Sequence, residues 1–169
     1  MATKMTPQQI TVLKADINAK KSTIFASFFA NPTNPEWEGV ETYYKGLSTT
    51  VVWRTNVTRA EIYHTVSPEA TSWSWTVYKG QPAVEQNAWV QMFMGDLANF
   101  ALPNLRAGID VIFGAASAQT THCKAVGKRL CSEMEKLFAT GTGTLASPAT
   151  MAFEGTLTAQ QISDLYGAG

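Results

Sequence analysis

The chain of 169 residues carries 13 Lys and Arg against 13 Asp and Glu, so its formal net charge is zero, and charged residues are only 15% of it, against about 25% in ordinary soluble domains. A dedicated nucleic-acid binder normally shows a basic excess, and this balance argues against one. At this length one domain with a modest appendage is the simplest organisation, burying roughly 70% of its extended-chain surface without staples.

Thr, Ser, Asn, Gln and Ala must then cover much of the surface, which is weakly self-repelling and poorly guarded against association. That points to a subunit of an assembly. The opening MATKMTPQQI has no apolar core, so no secretory signal is expected. No run approaches the ~18 apolar residues of a membrane span. Cys123 and Cys131 on one helix would stand roughly 12 Å apart along its axis, too far for a disulfide. Both are expected as reduced, buried thiols, which suits synthesis in a cytoplasm.

Thr6-Pro7-Gln8-Gln9 is a helix start: Thr6 caps, Pro7 suits the first position and Gln9 closes a capping box. Ile10, Leu13 and Ile17 follow at helical spacing, predicting a helix to about residue 20. Lys4, Lys14, Lys20 and Lys21, opposed only by Asp16, form a local basic group read as solvated rather than as a DNA contact. Residues 22–56 differ in character. Phe25, Phe28 and Phe29 lead into Asn31-Pro32-Thr33-Asn34-Pro35, which ends any helix. Trp37, Tyr43 and Tyr44 follow, and residues 49–55 are rich enough in β-branched and aromatic side chains for a short strand or extended segment. This aromatic density reads as packing or interface rather than a ligand pocket.

Thr58-Arg59-Ala60-Glu61 is a second capping box, opening a short helix with Ile62 on its apolar side and Pro68 limiting it. Trp73, Trp75 and Val77 alternate with polar residues, a strand-like or loop pattern. Residues 83–100 read as helical, with Trp89, Met92, Phe93 and Leu97 on one side. After Pro103 and Asn104, Leu105, Ile109, Ile112 and Phe113 give another short apolar face, ended by Gly114. Residues 119–139 read as the best-formed helix, with Val126, Leu130, Met134, Leu137 and Phe138 as its stripe and Gly141 just past its end. Its Lys124, Lys128, Arg129 and Lys136, with Glu133 and Glu135, form a solvated face. Trp89, Phe93, Ile109, Ile112, Leu130, Met134 and Leu137 are expected to be buried together, so Leu130→Ala should cost about 2–5 kcal/mol.

Gly141-Thr142-Gly143-Thr144 resembles a phosphate loop only superficially, because no Lys-Ser/Thr pair and no helix follow. Residues 151–157 read as extended. Thr158-Ala159-Gln160-Gln161 is a third capping box, leading into Ile162 and Leu165. A helix that short must dock on its own domain or on another subunit. The expected organisation is thus a helical core over 1–139 and a C-terminal arm over 140–169 ending in a short capped helix.

No catalytic constellation emerges. His64 and His122 are the only histidines. His122 and Cys123 are neighbours, so on a helix they point about 100° apart, and no third zinc ligand stands at suitable spacing. His122 reads as a surface or partly satisfied helix residue. Glu36/Glu38, Glu38/Glu41 and Glu133/Glu135 lack a setting that would raise one pKa. No enzymatic activity, metal or cofactor is expected.

Four stretches resemble small virion proteins of tailed bacteriophages: Val52-Trp53-Arg54-Thr55 with Glu61-Ile62, Asn104 to Phe113, Lys128 to Gly143, and Pro148 to Gly155. Such proteins are encoded beside the major capsid protein and are often head–tail connectors, or adaptors. The resemblance implies a mainly α fold: a small helical core, an aromatic-rich loop or β-hairpin insertion at about 31–56, and an extended C-terminal arm. It also implies a homo-oligomeric ring, twelvefold for a connector, between the portal protein and the tail-proximal connector or tail protein. Duplex DNA would pass through the lumen unread. The protein would be made in the host cytoplasm and reside in the virion, with no membrane partner. Phe153, Leu157, Ile162, Leu165 and Tyr166 on the arm are the candidate anchors to a neighbouring subunit or the portal. The alternatives are a capsid decoration (cement) protein, and a small cytoplasmic phage enzyme or regulator.

Overall fold

The computed structural model describes residues 5–67, 71–93 and 95–167; Lys4, Pro68 and the last two residues of the expected arm lie outside them. Among the described residues the element order is α1 (Pro7–Lys20), α2 (Trp37–Lys45), β1 (Leu47–Trp53), β2 (Val57–Thr58), α3 (Arg59–His64), α4 (Trp75–Lys79), α5 (Ala83–Gln91), β3 (Leu97–Ala98), α6 (Pro103–Phe113), α7 (Ala118–Val126), β4 (Lys128–Ser132), α8 (Glu133–Lys136), β5 (Ala139–Thr140), β6 (Thr150–Met151) and α9 (Ala159–Gly167). Helix accounts for 48% of the described residues and strand for 13%. The fold is therefore mixed α/β, with more helix than strand and three two-stranded sheets: β1 with β4, β2 with β3, and β5 with β6. The chain divides into two compact units, Met1–Thr50 with Leu130–Gly169, and Val51–Arg129. The division does not fall at 139/140.

In the first unit, α1 begins where the sequence predicts. The Thr6 hydroxyl accepts from the Gln9 N–H at 3.3 Å, and the Gln9 side chain accepts from the Thr6 N–H at 2.8 Å. Leu13 and Ile17 are buried, while Ile10 is half-buried. The stretch expected as a projecting insertion instead supplies α2, whose Val40 and Tyr44 are buried one turn apart. The Tyr44 hydroxyl donates to Asp16 on α1 at 2.6 Å; burial first, then that bond, hold the phenol above its ordinary pKa. Phe25 meets the Tyr43 ring edge-on at 5.1 Å. Gly39 lets the Phe28 ring approach closely: a Cβ there would stand 2.5 Å from it, so any other residue displaces the ring. The core gathers Leu13, Ile17, Phe25, Val40, Met134 and Ile162.

In the second unit the Thr58–Glu61 capping box opens α3, with the Glu61 N–H donating to the Thr58 hydroxyl at 3.1 Å. β2 pairs antiparallel with β3, Val57 opposite Ala98. Trp73 is buried but not on a strand, since the Ser74 hydroxyl accepts from the Val77 N–H at 3.3 Å and caps α4. The helix expected over 83–100 ends at Gln91, because the turn into β3 sets Gly95 (φ 91°) and Asp96 (φ 66°) in the left-handed region. Helix α6 matches its prediction, including the Gly114 stop at φ 83°. The core joins Val57, Ile62, Trp89, Phe100, Ile109 and Cys123.

The helix expected over 119–139 does not form as one piece. Helix α7 stops at Gly127, where a Cβ would stand 2.2 Å from the Phe100 ring. The chain then pairs as β4, and a fourth capping box begins α8: the Ser132 hydroxyl accepts from the Glu135 N–H, and the Glu135 carboxylate accepts from the Ser132 N–H at 2.9 Å. The expected common core is accordingly divided. Trp89, Phe93, Ile109 and Ile112 join one cluster, Met134 joins the other with Leu137 at its edge, and Leu130 is 43% exposed on β4. The 2–5 kcal/mol loss predicted for full burial therefore does not apply. Leu130→Ala should change unfolding free energy by about 0.5 kcal/mol or less, read from chemical denaturation; a loss above about 2 kcal/mol would place Leu130 in a core.

Candidate functional site

The five arm residues expected to anchor a partner come together, but inside their own unit. Phe153, Leu157 and Ile162 are buried and belong to the core with α1 and α2, while Leu165 and Tyr166 pack half-buried at its edge. Phe153 meets Phe138 at 5.5 Å. A short helix cannot stand in water with an apolar face exposed, and here the closest apolar surface is the chain's own. The extended arm expected from the resemblance is thus a folded-back segment, and these three side chains have no free surface to offer.

Specific polar contacts fix the seat of α9. Thr158 and Gln161 complete the predicted capping box, at 2.9 and 3.3 Å. The Ala159 N–H, at the first turn, donates to a Glu41 carboxylate oxygen at 2.7 Å. Hydrogen bonding from Lys45, and then from this N–H, holds the Glu41 carboxyl below its ordinary pKa. At the other end the Tyr166 hydroxyl donates to Asn18 at 2.6 Å and accepts from Lys21 at 3.2 Å. The Tyr166 ring stands 5.3 Å from the Trp37 ring. Glu135 carries the segment before α9, its buried carboxylate accepting from the Gly155 N–H at 3.1 Å.

Between the first turns of α2 and α9 lies an open cleft of about 490 Å³, lined by Pro35, Glu36, Trp37, Glu38, Gln160 and Ser163 among others. Glu36 and Glu38 are exposed, and neither takes part in an ion pair among the described residues.

The second unit presents a different surface. Arg59 and Tyr63 lie four residues apart on α3, and Trp75 and Lys79 four apart on α4, so each pair shares a helix face. The Tyr63 and Trp75 rings meet at 4.8 Å, and Trp75 is 49% exposed. The Tyr63 hydroxyl accepts from the indole N–H of buried Trp89 at 3.1 Å, which anchors the pair to the core. Burial raises the Tyr63 pKa. Arg59 and Lys79 take part in no ion pair among the described residues.

His122 is fully buried rather than at the surface. Its Nε2 lies 2.7 Å from the Ile62 carbonyl oxygen, and its Nδ1 lies 3.1 Å from the Thr71 carbonyl oxygen. It ties α7 to α3 and to the chain before α4. Cys123 is buried beside it in sequence, and burial pushes its thiol up to about 12, so it stays protonated and non-nucleophilic at neutral pH. Cys131 lies on β4, not on a helix, and its thiol meets the Ser48 hydroxyl at 3.1 Å. Glu133 is paired with Lys136 at 3.4 Å. The Gly141–Thr144 segment is irregular and leads into a bend in which the Thr144 N–H donates to the Ser147 carbonyl at 3.1 Å. Among the described residues no three His, Cys, Asp or Glu side chains gather closely enough to hold a metal ion, and no helix is long and apolar enough to cross a membrane.

Sequence reasoning missed the cleft and the strip of Arg59, Tyr63, Trp75 and Lys79. The i, i+4 spacings within the strip were visible. The approach of α3 to α4, and of α2 to α9, was not. Comparison of the chain with protein-family models, with curated proteins and with solved structures finds no match.

Proposed function

We propose that this chain is a non-enzymatic structural protein of a tailed-phage virion, acting as a head–tail connector subunit in a ring between portal and tail. The observation that carries the reading is where the resembling segments lie. Arg54 pairs with Glu61, and Glu61 closes the Thr58 capping box. Asn104–Phe113 lies within α6, whose Asp110 pairs with Lys124 on α7. Ser132 and Glu135 build the start of α8. These residues join one element to the next, as suits a chain used for its shape and contacts. The neutral, charge-poor composition supports the same reading, since such a surface associates readily. Duplex DNA would cross the ring without being read, because zero net charge gives little phosphate affinity.

Imaging of whole particles, with the chain's copy number measured by quantitative mass spectrometry, tests the proposal. The expected result is one small ring per particle at the junction of head and tail. Hundreds of copies spread over the shell would replace the connector with the cement reading. Absence from purified particles would remove both and leave a role in the infected cytoplasm.

A further inference from the structure

The formal charge is zero over the whole chain but not over its parts. The unit Met1–Thr50 with Leu130–Gly169 holds six Lys and eight Asp or Glu, for −2, and the unit Val51–Arg129 holds seven Lys or Arg and five Asp or Glu, for +2. Each unit also carries a surface on which two exposed or half-exposed charges of its own sign accompany aromatic rings. On the positive unit, Arg59 shares a face of α3 with Tyr63, and Lys79 a face of α4 with Trp75; the two rings meet at 4.8 Å, with Trp75 half in solvent. On the negative unit, Glu36 and Glu38 flank Trp37 in a cleft of about 490 Å³.

The placement of Arg59 contributes little to the monomer. It occupies the first position of α3, where the helix dipole opposes a cation, and no described carboxylate pairs with it. A large, half-exposed aromatic side chain accompanied by Arg and Lys is the composition of a binding anchor, in which buried rings supply affinity and accompanying charges set register and partner choice. The surface it fits must be concave, anionic and partly aromatic. The Glu36–Trp37–Glu38 cleft has those three properties, and each copy of the chain carries it.

We propose that two copies of this chain dock head to tail, the Trp75 strip of one seating in the Glu36–Trp37–Glu38 cleft of the next, with Arg59 and Lys79 opposite Glu36 and Glu38. The two surfaces differ, so the contact is heterologous: it propagates from copy to copy and closes into a ring where the rotation allows. The pairing does not rest on the connector reading. A chain found elsewhere than the head–tail junction would still associate this way, and a junction protein that failed the tests below would build its ring through other faces.

The test uses the purified full chain. Sedimentation of wild type should show association that weakens as salt is raised. The double variants Arg59→Glu, Lys79→Glu and Glu36→Lys, Glu38→Lys each place like charges across the contact, and each should weaken association by about a hundredfold. An equimolar mixture of the two restores opposite charges at every contact and should recover the wild-type assembly. Trp75→Ala, at a half-exposed position, should weaken association with an unchanged circular dichroism spectrum. Carbodiimide coupling in a mixture of ¹⁴N- and ¹⁵N-labelled chains should yield mixed-isotope peptides joining Lys79 to Glu36 or Glu38. A wild-type chain that remains monomeric at millimolar concentration in low salt overturns the proposal. So do reversed variants that associate like wild type, a mixture that does not recover, or coupling confined within single chains.

Discussion

Deletion of residues 140–169 should unfold the unit built on α1 and α2 rather than release an intact core. The deleted stretch contains Phe153, Leu157 and Ile162, all buried in that unit. It also removes the partners of Glu41, Glu135 and Asn18. Truncating one buried Phe costs about 3–5 kcal/mol and one buried Ile or Leu about 2–5, whereas a whole domain is stable by only about 5–15 kcal/mol. Losing three such side chains together with their polar contacts exceeds what a unit of this size retains. Circular dichroism should therefore lose more helix than α9 contributes, and amides of α1 and α2 should lose protection from hydrogen exchange. Loss of the α9 signal alone, with protection in α1 unchanged, would mean that the segment is docked on a core that stands without it.

Trp89→Ala should be the most damaging single substitution in the unit Val51–Arg129. The side chain is fully buried. Its ring stacks on Trp73 at 5.1 Å and meets Phe93 at 4.9 Å and Phe113 at 5.3 Å. The expected loss is about 3–5 kcal/mol, from apolar transfer plus the cavity left among rings that cannot collapse into it. Tyr63→Phe isolates the polar part of the same site, because it leaves the Trp89 indole N–H buried without its acceptor. That change should cost about 1–3 kcal/mol. Chemical denaturation of both variants reads these values. A Trp89→Ala loss under about 1 kcal/mol would show that the ring cluster is not the core of its unit.

The features legible in the sequence are those whose partners lie within one turn. The capping boxes at Thr6, Thr58 and Thr158 stand where the spacing placed them, because a side chain three residues away closes each one. The α6 stop at Gly114 is equally local. The Ser132–Glu135 box was present too, but the apolar spacing across 119–139 fits a continuous helix just as well. What broke that helix was β4 pairing with β1, about eighty residues away in the chain, together with the close approach of the Phe100 ring to Gly127. Periodicity is blind to both.

The candidate site divides the same way. Composition by itself determined a neutral chain with a low charge content and apolar side chains enough for a core, and local spacing determined which short helices begin where. Only the tertiary structure decided what each apolar face closes on. Phe153, Leu157 and Ile162 are as apolar as any interface anchor, yet they are buried in a core of their own chain that includes residues of α1 and α2. Trp75, no less apolar, is left half in solvent on the face of α4 that also carries Lys79. The hydrophobic effect is non-directional: sequence states how much surface must leave water, and only the packed chain states which surface has already found its partner.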